Sequence, residues 1–97
     1  MSKVDEIVGK IKDLSYKIAK ELEEENIKGK TVTLKLKKTS FFTILKSRSI
    51  PTYTCDPKVI FETAKIILDN ILYNLKPAEA KFRLVGVKVS NFCEEEL

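Results

Sequence analysis

Apolar positions recur along this chain at two different periods, and the switches between them divide it into five segments. Val4, Ile7, Val8, Ile11, Leu14, Ile18 and Leu22 fall at helical spacing, drawing one apolar stripe down an amphipathic helix from about Val4 to Glu25. Asn26 to Gly29 end that helix and lead into a run of period two. There Val32, Leu34 and Leu36 alternate with Thr31, Thr33, Lys35 and Lys37, the pattern of a strand with one packed and one wet face. After a turn at Lys38-Thr39-Ser40, the run from Phe41 to Ile50 alternates less cleanly. Ile44, Lys46 and Arg48 share one parity, while Leu45 sits with Thr43, Ser47 and Ser49, which predicts a bulge or strong twist.

Ile50 to Cys55 reads as an exit loop, because Pro51 cannot donate to a central ladder. Asp56 is a good N-cap and Pro57 a good first helical residue. The helix they open carries Ile60, Ala64, Ile67, Leu68, Ile71 and Leu75 on one face, widened by Val59, Phe61 and Leu72, and Pro77 stops it after Lys76. A last strand, Lys81 to Phe92, sets Val85, Val87 and Val89 against Leu84, Gly86, Lys88 and Ser90. Gly86 in mid-strand is explained equally by a bulge, by a kink needed for sheet twist, or by the close approach of another backbone. The order helix, strand, strand, helix, strand predicts an α+β fold, an antiparallel sheet with two helices packed on one face.

Ninety-seven residues with 43% hydrophobic content suit a single domain with one core. No apolar run approaches the roughly 20 residues that span a bilayer, and the charged start MSKVDEIVGK is unlike a signal peptide, so the expected location is intracellular. Cys55 and Cys93 are lone thiols in a chain without histidine, so neither a zinc site nor a disulfide framework is indicated. Glu62 and Asp69 are isolated helix carboxylates with no partner pattern, and Glu23-Glu24-Glu25 reads as a solvated helix end, so no catalytic residue is assigned.

Charge changes this picture through its distribution, since the net value is only +4. Between Ile27 and Cys55 there are seven basic side chains (Lys28, Lys30, Lys35, Lys37, Lys38, Lys46 and Arg48) and no acid. With Lys81, Arg83 and Lys88 the prospective strands hold ten positive charges and no negative one, while the helices and the tail Glu94-Glu95-Glu96 hold the acids. Such segregation is the footprint of a sheet that binds a polyanion. Taken alone, the same lysines also suit a solvated outer face or an edge guard.

The segments LSYKIAKELEEENIKGKTVTLKLK, KSRSI, IFETAKIIL and FRLVGVKVSNF stand in an order and spacing that covers nearly the whole chain. Together they resemble the little finger domain of Y-family translesion DNA polymerases, in the DinB and kappa branch. The resemblance implies a non-catalytic piece of a larger polymerase, residues 1–97, that holds template-primer duplex by its backbone phosphates. It places the contacts at Lys46, Ser47, Arg48 and Ser49 in the second strand and at Arg83, Gly86, Lys88 and Ser90 in the last, with Lys35 and Lys37 adding charge. Hydroxyls, backbone amides and long cations position phosphates without reading bases. No cofactor is expected here; the Mg2+ of such an enzyme belongs to its palm, which this chain lacks, and the location would be nuclear in a eukaryote.

Two departures from the family pattern stand out. The family's sheet starts with a strand before the first helix, so this chain is expected to lack that first strand and to expose an edge on Lys81 to Phe92, open to an edge-to-edge dimer. Leu84 occupies a position where the family commonly presents a second basic residue. Two other readings stay open: an RNA-binding α/β module, for which only Phe41 or Phe42 offers stacking on the hairpin, and a protein-interaction module that accepts a partner strand.

Overall fold

A computed structural model describes residues 4–40, 42–75 and 81–93, the side chain of Cys93 excepted. Within them run α1 (Val4–Glu24), β1 (Lys28–Lys38), β2 (Thr43–Thr54), α2 (Pro57–Tyr73) and β3 (Phe82–Cys93). The fold is α+β, and the three strands form an antiparallel sheet in the order β2-β1-β3. β1, the most regularly alternating run, is the central strand.

The apolar stripe of α1 narrows to Ile7, Ile11, Ser15, Ala19 and Leu22, each buried, while Val4 at its start is exposed. Ser15 is the one position that hydropathy passes over. It enters the core because its hydroxyl donates to the Ile11 carbonyl at 2.7 Å, as Thr63 on α2 donates to that of Val59 at 2.8 Å. α1 ends in a Schellman arrangement: Asn26 adopts a left-handed φ of 55°, Ile27 N–H donates to Leu22 O at 3.0 Å, and Asn26 N–H donates to Glu23 O at 3.1 Å. These bonds satisfy the last carbonyls and turn the chain into β1.

Asp56 caps α2 as its sequence predicts, accepting from Lys58 N–H at 2.9 Å with Pro57 in the first turn. α2 ends earlier than expected, at Tyr73 with Asn74 as C-cap, because Asn74 and Leu75 already form three-residue turns to Ile71 and Leu72. Lys76, Pro77 and Glu94 to Glu96 lie outside the described residues, as does Phe41. Val32, Leu34, Leu36, Val85, Val89 and Phe82 on one sheet face meet Ile60, Ala64, Ile67 and Leu68 of α2 and the α1 stripe in a single core. At about 1.5–3 kcal/mol for each large apolar side chain buried, this layer dominates stability.

Two expectations for β2 need correcting. Ile50 to Cys55 is not an exit loop: β2 continues to Thr54, and Pro51 is accommodated because β2 is an edge strand. The irregularity also lies elsewhere than in the mixed run. Thr43 to Ser49 pairs regularly with Lys37 to Thr31, and the register then shifts so that Gly29 pairs with Thr54, leaving Ile50 to Tyr53 as the bulged stretch. Lys30 Nζ stands 5.2 Å from the Tyr53 ring centroid across that bulge. The uneven hydropathy of Thr43 to Ser49 reflects exposure on both faces, since only Ile44 among these residues is even half-buried.

Candidate nucleic-acid interface

Directly paired residues share a face in an antiparallel sheet, so the register builds the helix-free face row by row. One row is Ser49, Thr31 and Ser90, and the next is Ser47, Thr33 and Lys88. The third is Leu45, Lys35 and Gly86, and the fourth is Thr43, Lys37 and Leu84. Half of this surface is hydroxyl, its cations are lysines from β1 and β3, and none of the three strands contains an acidic residue. Thr33 and Ser47 share a hydrogen bond of 2.8 Å, and Thr31 and Ser49 one of 3.3 Å, so the hydroxyls form ladders across β1 and β2.

Of the residues expected at the site, Lys35, Lys37, Ser47, Ser49, Gly86, Lys88 and Ser90 come together on this face. Arg83 has the parity of Val85 and would point into the core of a regular strand. A one-residue register shift places Phe82, fully buried, opposite Lys38 on the helix side instead, and leaves Arg83 exposed as the extra residue of the bulge. Lys37 and Arg83 also engage other groups of the chain.

Lys46 and Arg48 do not join the open face. They pair with Leu34 and Val32 and so share the helix side of the sheet, yet both are exposed because the helices do not cover this edge. The two cations line a groove of about 810 Å³ between β2 and α2, with Asn70, Asn74, Ile67 and Ile71 opposite and no carboxylate among the described residues of its wall. The stretch Lys46-Ser47-Arg48-Ser49 therefore divides two and two about the free edge of β2. A ligand lying along that edge reaches both pairs.

The two strand glycines have different reasons to be there. A Cβ on Gly29 would overlap Val89 Cγ1 and stand 3.1 Å from the Ser90 carbonyl oxygen, so the fold itself requires glycine. A Cβ on Gly86 would meet only Lys35 Cβ, at an ordinary 3.7 Å; its φ is not positive and its pairing is regular. No bulge explains Gly86, and its backbone does not require glycine. What it does supply is a flat place on the open face beside Lys35.

Sequence reasoning left Thr31, Thr33 and Asn91 out of the site. The two threonines were legible from their parity with Lys35. Asn91 was not: it has the parity of Val89, but a left-handed φ of 56° breaks the alternation, and its Nδ2 donates to Thr31 Oγ1 at 2.6 Å. Among the described residues no three His, Cys, Asp or Glu side chains could hold a metal ion, so this face offers no donor set to a divalent cation. No described helix is long and apolar enough to cross a membrane. The rows of the open face contain no aromatic residue; Phe42, 74% exposed, lies outside β2 at the hairpin tip.

Comparison with known proteins agrees with this geometry. The chain is 31% identical over 96 residues to DNA polymerase kappa of Mus musculus and 30% identical over 96 residues to that of Homo sapiens, covering 99% of the chain and 11% of each relative. It is 40% identical over 93 residues to DNA polymerase IV of Staphylococcus epidermidis, covering 95% of the chain and 25% of that relative. The chain thus spans between about a tenth and a quarter of the length of these polymerases. The model of the impB/mucB/samB family C-terminal domain matches residues 1–97. With the α-β-β-α-β order and the acid-free sheet already in place, the chain belongs to that family, the little finger domain of Y-family DNA polymerases.

Proposed function

We propose that this chain holds template-primer duplex DNA for a translesion polymerase of the kappa and polymerase IV type, without sequence preference and without taking part in the chemistry. The observation that carries the reading is the open face itself: lysines of β1 and β3 set among hydroxyls, a glycine that the fold does not demand, and no acid on any strand. Hydroxyls and amides fix the duplex register by hydrogen bonds to phosphate, while lysines supply the long-range attraction. A surface that meets the duplex with hydroxyls and lysines set to contact phosphate, and without stacking aromatics, lets a duplex of any sequence slide past, which suits an enzyme that must extend beyond damage. The Mg2+ of nucleotidyl transfer would be bound by a palm domain elsewhere in the polymerase, and the whole would act where the genome is, in the nucleus of a eukaryote.

The free edge of β2, with Lys46 and Arg48 on one side and Ser47 and Ser49 on the other, would follow a phosphate backbone from both flanks. β3 pairs with β1 alone among the described strands, so its outer edge is where an adjoining segment of the polymerase, or a second copy of the chain, would add. The RNA-binding reading loses support because the open rows lack aromatics for bases to stack on.

The test is a titration of fluorescent duplexes of unrelated sequence at several salt concentrations. The expected dissociation constants lie at roughly 10⁻⁴ to 10⁻⁶ M and are alike for all sequences. With about four to six phosphates neutralised, log K should fall against log salt with a slope of about −3 to −5. A flat salt response, or no binding at low salt, overturns the proposal.

A further inference from the structure

The hydrogen bonds at one end of the open face start from a fixed donor. Asn91 Nδ2 can only donate, and it donates to Thr31 Oγ1 at 2.6 Å. Thr31 is 9% exposed, so its single hydroxyl proton needs an acceptor within the protein. Ser49 Oγ, 3.3 Å away on the neighbouring strand, is placed to accept it. Ser49 is exposed, and once it accepts from Thr31 its own proton is left facing outward. The neighbouring pair Thr33 and Ser47 has no amide at its end, and either of its hydroxyls serves equally well as donor.

We propose that Asn91 is a positioning residue which, through Thr31, turns the Ser49 hydroxyl outward as a hydrogen-bond donor to a phosphate oxygen of bound duplex DNA. A phosphodiester oxygen accepts only, so a hydroxyl that presents its proton is matched to it before the ligand arrives, whereas a free rotor must be ordered on binding. The left-handed φ of 56° at Asn91 is what brings its amide to the open face, and asparagine is among the few residues other than glycine that adopt this conformation readily. The relay spans all three strands, from β3 through β1 to β2, and ends beside Arg48 in the sequence. The proposal rests on the duplex-holding reading above.

Asn91→Gly tests it, because glycine keeps the left-handed backbone and removes only the amide. Duplex affinity should fall about 3- to 10-fold, the loss expected of one ordinary hydrogen bond. The slope of log K against log salt should stay the same, since no charge is lost. Ser49→Ala should produce a similar loss, and the double variant should lose no more than either single one, because the two residues act through one donor. Wild-type affinity in Asn91→Gly, or additive losses in the double variant, overturns the proposal. A readout without DNA separates it from the reading it rests on: in NMR spectra the Thr31 hydroxyl proton should show a cross-peak to the Ser49 β protons that vanishes in Asn91→Gly. If that cross-peak is absent while the wild-type chain binds duplex, the relay alone is wrong. If the cross-peak is present and the wild-type chain binds no duplex, the duplex-holding reading falls, and the role proposed for Ser49 toward phosphate with it.

Discussion

Gly86 and Lys35 face each other across β3 and β1, and the space above Gly86 is open enough that an added Cβ would touch only the Lys35 Cβ, at 3.7 Å. Alanine therefore fits here without disturbing the fold, and should raise stability by about 0.5–1 kcal/mol by lowering the entropy of the unfolded chain. Duplex affinity should nevertheless drop, because the methyl group would stand where the proposed interface brings in the phosphate backbone. Gly29→Ala gives the converse result, a loss of about 1–3 kcal/mol from overlap with Val89 and the Ser90 carbonyl. Thermal melting paired with DNA titration of both variants checks this; unchanged affinity in Gly86→Ala would remove the reason offered for that glycine.

Lys46 and Arg48 lie on the opposite side of the β2 edge from Ser47 and Ser49, so their contribution is separable. The double substitution to alanine should weaken binding to unrelated duplexes by similar factors and flatten the salt slope by about 0.9 for each phosphate no longer neutralised. Both side chains are exposed, so chemical denaturation should move by no more than about 0.5 kcal/mol. Discrimination among sequences by this variant would point to base readout in place of backbone positioning.

Leu84 is 47% exposed on the open face, directly opposite Lys37. Leu84→Arg places a further cation among the lysines without touching the core. Its salt slope should steepen by about 0.9, one more phosphate neutralised, with tighter binding at low salt. Equal slopes for variant and wild type would show that the duplex does not reach this row.

Among the described strands β1 is bonded on both sides, whereas β3 is bonded on one. Hydrogen exchange should accordingly protect the amides of Val32 to Leu36 throughout, and those of β3 only where they face β1. The backbone N–H and C=O groups on the outer edge of β3 meet no partner among the described strands, which predicts concentration-dependent association by ultracentrifugation at millimolar chain. A chain that stays monomeric there, with both sides of β3 equally protected, would mean that this edge is not free.

Much of the molecule was legible in the chain because local rules and tertiary context agree there. The α1 stripe, the Asp56 cap with Pro57, and the strict alternation of Thr31 to Lys37 each survive into the structure, since each of those segments buries one face and wets the other. The absence of acids from the strands was legible as well, because excess charge needs no packing to be counted, and the proposed polyanion surface is built on it.

Tertiary structure decided what periodicity could not. Edge or centre is a property of pairing, so only the sheet order shows why Pro51 is tolerated in β2 and why Lys46 and Arg48 remain exposed on the helix side. A one-residue bulge at Arg83 and a left-handed φ at Asn91 each reverse the face that parity assigns. Such reversals are set against the neighbouring strand: the register shift that pairs Phe82 with Lys38 turns Phe82 into the core, and Asn91 reaches the open face, where Thr31 accepts from its amide. A residue's period is written in its own segment, but its partner is written in another.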